Sequence, residues 1–162
     1  MENWYISDDI EAGSPVLLDR MQRTIVLHGM VSMMFHMLLQ DLAGLAPGLF
    51  ASRGTPIASR LETLPASAKD TSLAALAGRF DALSARLALC DDPGNWRYNA
   101  LTQSIAVTCR NAQGAELRTE SWFCADFDRW IVELEDLSIE ISARLPRSLP
   151  KLNIAALADI RA

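Results

Sequence analysis

Residues 24–40 read TIVLHGMVSMMFHMLLQ, and the interpretation of this stretch decides the fold. Wound into a helix, it presents apolar side chains on nearly every side. A helix that is hydrophobic all round is buried among other elements or in lipid, whereas a surface helix needs only one apolar stripe. Lipid fits poorly. About 17 residues at 1.5 Å each give roughly 26 Å, short of the ~30 Å hydrocarbon core, and His28, Ser32 and His36 would add a further penalty there. The preceding segment carries Glu2, Asp8, Asp9 and Glu11 where a secretory signal would be positive. The expectation is therefore a mostly α (α+β) fold, a helical bundle around this central apolar helix, with residues 1–162 as one domain.

Composition agrees with a buried core. Of the 162 residues 50% are hydrophobic and 22% charged, which is globular and not disordered. A formal charge of −5 argues against a broad grip on nucleic acid or anionic lipid, since both need a basic surface. It would instead steer in a basic partner. Cys90, Cys109 and Cys124 are an odd set with no CxxC spacing, which suits reduced thiols in the cytoplasm better than a disulfide framework.

Working outward, Ser14-Pro15 is a cap-plus-proline start and places helix 1 over Pro15–Ala43. Along it Arg20, Thr24, His28, Ser32, His36 and Gln40 recur every fourth residue. Each step of four rotates about 40°, so the polar line winds and only neighbours share a face. His28, Ser32 and His36 at its centre are the candidate ligand-binding strip. Met30, Met33, Met34 and Met37 around them suggest a soft-metal site, but Met is also a common core filler. The histidines lie roughly 12 Å apart along the axis, too far to share one ion unaided. No metal or other cofactor is assigned.

Residues 44–55 read as a loop. Thr55-Pro56 opens a short helix to about Leu64, and Ser67 with Asp70 has capping-box spacing. Leu73, Leu76, Phe80, Leu83, Leu87 and Cys90 then alternate by three and four, an amphipathic stripe expected to lie against helix 1. Asp91-Asp92-Pro93-Gly94 breaks it. Asn111-Ala112-Gln113-Gly114 has the composition of a type I turn with a left-handed glycine, and a β-hairpin is expected at about 104–121. Pairing Asn111 with Ala115 would set Arg110 opposite Glu116, Cys109 opposite Leu117, Val107 opposite Thr119 and Ile105 opposite Ser121. The rival is a helix through Trp96, Ala100, Leu101 and Ile105. Asp126 is expected to cap a last long helix with the stripe Phe127, Trp130, Ile131, Leu134, Leu137 and Ile141, ending before Pro146. One more short helix is expected after Asn153.

No GxSxG, P-loop, GxGxxG, HExxH or spaced Cys/His set occurs. Glu133, Asp136 and Glu140 form an acidic stripe on the last helix, the candidate protein-binding surface, because unlike charges steer association. The layout from Trp96 to Leu137, a tryptophan, a hairpin and then a helix opened by FCADFDRWIVELEDL, resembles that of some small bacterial immunity proteins. The resemblance covers about a quarter of the chain, without a diagnostic motif, and the helical first half departs from it; it implies a neutralising, protein-binding role. The leading expectation is a non-catalytic cytoplasmic protein that binds another, basic protein, immunity-like or chaperone-like, with no nucleic acid or membrane partner. A homodimer is the other way to cover helix 1. The alternative is a small-molecule or metal binder, or a motif-less enzyme, using a pocket at His28, Ser32 and His36, where a histidine would serve as general base.

Overall fold

The computed structural model describes residues 15–44, 55–64, 70–90 and 93–145. The acidic lead with Ser14, the loop at 45–54, Ser67 and the expected tail helix lie outside them. The elements are α1 (Pro15–Leu42), α2 (Ile57–Glu62), α3 (Thr71–Leu87), β1 (Trp96–Asn99), β2 (Ser104–Arg110), β3 (Glu116–Trp122) and α4 (Cys124–Ser142). The fold is thus mostly α, with a small antiparallel sheet in the order β1-β2-β3. Gly44, at φ +65°, follows α1 in the left-handed conformation that glycine adopts without a Cβ penalty.

α1 packs most closely on α4. Phe35, Met34, Val31, Leu38 and Leu39 are buried and join Phe127, Leu134, Leu137 and Ile141 of α4 in one core. Arg20 pairs with Asp128, and Arg23 with Glu135 at 2.7 Å. These successive pairs give the two helices the same direction. A bundle arranged around α1 is not established: Val16, Ile25, Val26 and Met33 are exposed, so part of its apolar excess is left uncovered. The expected α4 stripe is buried at all six positions. The α3 stripe is buried from Leu73 to Leu87, and Phe80 meets Phe35 of α1 at 5.1 Å between ring centroids.

Three helix starts use different atoms from those expected. Asp70 is itself the N-cap of α3, accepting from the Ser72 amide at 2.8 Å; Ser72 hydrogen bonds hold its carboxyl below the ordinary carboxylate range. Asp126 sits one turn inside α4, not at its cap, and its carboxylate accepts from the Phe123 amide at 2.9 Å, the backward half of a capping box. At α2, Thr55 provides no side-chain cap. Asp81 of α3 takes over that role, as described below.

The hairpin forms, and the helix through Trp96 does not. Gly114 is at φ +80°, the Asn111 amide donates to the Ala115 carbonyl at 2.9 Å, and Arg110 faces Glu116. Beyond that pair the register slips by one: Cys109 faces Arg118, Val107 faces Glu120 and Ile105 faces Trp122, so Leu117 is the extra residue of a bulge. The reason lies at the far end of β3. Without the slip Ser121 would share the core face with Ile105 and Trp122 would point outward; with it Trp122 is 3% exposed and packs on Phe127 and Trp130. β1 was not expected. It pairs Trp96 with Val107 and Tyr98 with Ile105, turning its two aromatic residues to the core face and Arg97 and Asn99 outward.

Candidate functional site

The polar line of α1 is amphipathic in a local sense. Arg20 turns towards α4, and Thr24 is buried with its hydroxyl donating to the Arg20 carbonyl at 2.8 Å. The next three members, His28, Ser32 and His36, all line one cavity of about 500 Å³ between α1, α2 and α3. Ile25, Ile57, Phe80 and Leu87 provide much of its apolar wall.

Each histidine has its own partner. His28 lies flat on Phe80, with centroids 4.8 Å apart and planes 8° from parallel, and its Nε2 is 2.6 Å from Ser84 Oγ. His36 Nδ1 is 2.7 Å from the Ser32 carbonyl, and its Nε2 is 2.9 Å from Arg60 Nη1. A carbonyl can only accept and a guanidinium can only donate. His36 is therefore the Nδ1–H tautomer, donating to Ser32 and accepting from Arg60. Both of its ring nitrogens are committed, so it has none to offer a metal ion. Met30 and Met34 are core side chains, and among the described residues no group of three His, Cys, Asp or Glu could hold an ion.

Arg60 and Asp81 bring α2 to this wall. Arg60 is only 4% exposed, and burial pushes its guanidinium pKa down. Asp81 accepts from the Ile57 amide with Oδ1 and from the Ala58 amide with Oδ2, both at 2.8 Å. One carboxylate of α3 thus caps two free donors of α2 and complements the positive end of that helix. A six-residue helix is not stable alone, so these bonds fix the wall. Asp81→Ala should lower stability by about 1–2 kcal/mol and speed hydrogen exchange at the Ile57 and Ala58 amides well beyond that at α4. Asp81→Asn, which keeps one acceptor oxygen, should fall between.

Sequence reasoning found three of the polar lining residues and missed Arg60, Phe80, Asp81 and Ser84 as site residues. A signal existed for Arg60: it falls among Ile57, Leu61 and Leu64 on the buried side of a short helix, where an arginine is out of pattern. Asp81 and Ser84 flank the α3 stripe and look like ordinary surface positions.

The acidic stripe of α4 is divided. Glu133 and Glu140 both reach Arg79 of α3, at 2.7 and 3.0 Å, and the Glu133 hydrogen bond is the chief cause that holds the Arg79 guanidinium above its ordinary value. Asp136 faces outward between exposed Val132 and Ile139. Cys109 and Cys124 are free thiols. α1 is long and apolar enough to cross a membrane by length and composition. No protein-family model, curated protein or solved structure matches the chain.

Proposed function

We propose that this protein binds a small organic molecule in the cavity between α1, α2 and α3. The observation that carries the reading is convergence: His28 and His36 from α1, Arg60 from α2 and Ser84 from α3 meet around one opening whose remaining wall is largely apolar. Binding sites for small molecules are concave, mostly apolar, and oriented by a few placed polar groups, with volumes of about 300–1,000 Å³. A ligand that fits would set an apolar body against Ile25, Phe80 and Leu87 and a polar end against the histidines and Arg60. A cytoplasmic setting accords with the free thiols of Cys109 and Cys124.

A thermal-shift and amide-resonance screen against a fragment library tests this. A fragment at a hundred times its Kd should raise stability by about 2.7 kcal/mol and move the resonances of His28, Arg60 and Ser84. Hits that bind a folded His28→Ala/His36→Ala variant equally well, or a screen with no hits, would sink the reading.

A second reading, contact with another protein, is supported by the outward face of α4. Val132, Asp136 and Ile139 lie at i, i+4 and i+7, one face of the helix, and Ile139 is 68% exposed. The charge of −5 favours a basic partner. A stoichiometric basic partner captured by the native chain and lost on Asp136→Lys would establish it.

A further inference from the structure

Several hydroxyls in or at the end of helices turn back onto a carbonyl of the same helix. Thr24 donates to the Arg20 carbonyl, Thr63 to that of Arg60 and Ser138 to that of Glu135, the usual local bond for serine and threonine in helices. Ser84, inside α3, does otherwise: its Oγ meets His28 Nε2 at 2.6 Å across the helix interface, at the wall of the cavity. The imidazole cannot swing freely, because its face lies against Phe80. Asp81, one turn before Ser84, has both carboxylate oxygens on the α2 amides. Ring stacking thus restrains the plane of the imidazole.

We propose that Ser84 and His28 are a nucleophile and general-base pair that accepts an acyl group from small carboxylic esters. A serine hydroxyl is a weak nucleophile until an adjacent base takes its proton, and the structural signature is a hydroxyl and imidazole within about 2.6–3.2 Å. In the forward step Ser84 Oγ bonds to the ester carbonyl carbon while its proton passes to His28 Nε2. As the tetrahedral adduct collapses, the bond to the leaving oxygen breaks and Nε2 returns the proton to it, releasing the alcohol. Water then attacks the acyl-serine, its proton passing through Nε2 to Ser84 Oγ, and the free acid leaves. Arg60 lines the same cavity and adds positive charge to it, which favours an adduct whose carbonyl oxygen becomes negative. Ile57, Phe80 and Leu87 select a short apolar acyl or aryl group. The inference rests on the ligand-binding reading and adds a substrate class to it.

p-Nitrophenyl acetate and the full-length protein provide the test, read by p-nitrophenolate release and by intact and tandem mass spectrometry. The expected result is one acetyl group per chain, on Ser84, absent in Ser84→Ala and formed about 100-fold more slowly in His28→Gln. Ser121→Ala, which removes an exposed hydroxyl of β3 outside the cavity lining, should retain the Ser84 label. Labelling that survives in Ser84→Ala, that maps to Lys69 or Lys151, or that is unchanged in His28→Gln would overturn the proposal. Should Ser84→Ala fail to fold by circular dichroism, Ser84→Cys carries the test, since the thiol must then bear the acetyl group. Absence of any adduct while fragments still bind the cavity removes the Ser84–His28 pair and leaves the binding reading; loss of both removes both.

Discussion

Replacing Phe80 by alanine is expected to lower the unfolding free energy by about 3–5 kcal/mol and to abolish Ser84 acylation in whatever fraction remains folded. Phe80 is 3% exposed and touches two different things. Its contact with Phe35 belongs to the core, and truncation there leaves a cavity that rigid helices fill only in part. Its stacked contact with His28 belongs to the site. Phe80→Leu separates the two roles. A leucine keeps most of the apolar volume and should cost less than about 1.5 kcal/mol, yet it offers no flat ring, so His28 loses the surface that holds its plane. Urea unfolding should therefore rank the variants native, leucine, alanine. The acylation rate should already fall sharply at leucine. A Phe80→Leu protein that acylates at the native rate would show that stacking does not orient the imidazole.

The α3 and α4 stripes were legible because their periodicity is local. Leu73, Leu76, Phe80, Leu83 and Leu87 lie on one side of any helix, whatever surrounds it, and the same holds from Phe127 to Ile141. α1 was legible as a helix but not in its burial: a run apolar on all sides says that much can be buried, not which side a neighbour covers. Ile25, Val26 and Met33 are as apolar as Met34 and Phe35 and stand in the open. β1 escaped notice because four residues carry little pattern, and the spacing of Trp96, Ala100, Leu101 and Ile105 also suits a helix.

The cavity was half legible. His28, Ser32 and His36 follow one another about one turn apart on a single helix, each sharing a face with its neighbour, so their grouping follows from helix geometry. Their partners come from elements 24 and 56 residues away in sequence, and nothing local marks Arg60 or Ser84 as the groups that meet them. Asp81 illustrates the same limit. Proline at position 56 predicted a helix start, but the acceptor that satisfies that start comes from another helix.

Trp122→Ala should cost about 3–5 kcal/mol, more than any other change in the sheet, because Trp122 joins the sheet to α4. Its ring meets Trp130 at 5.0 Å and 87°, and Phe127 at 6.2 Å and 77°, edge-to-face contacts that contribute beyond the area they bury. Its Nε1 donates to Glu120 at 3.2 Å, so the buried indole keeps a hydrogen-bond partner. The bulge at Leu117 is what delivers this side chain to the inner face, and that supplies a control with an opposite expectation. Deleting Leu117, which is exposed, removes only the extra residue; Cys109 still faces Arg118, Ile105 still faces Trp122, and the deletion should cost far less than the tryptophan. Inserting one alanine between Thr119 and Glu120 instead reverses the faces of the strand end and sets Trp122 outward, so it should approach the Trp122→Ala loss. Guanidinium unfolding followed by tryptophan fluorescence reads all three. A Leu117 deletion as damaging as Trp122→Ala would mean that the bulge does more than set the register.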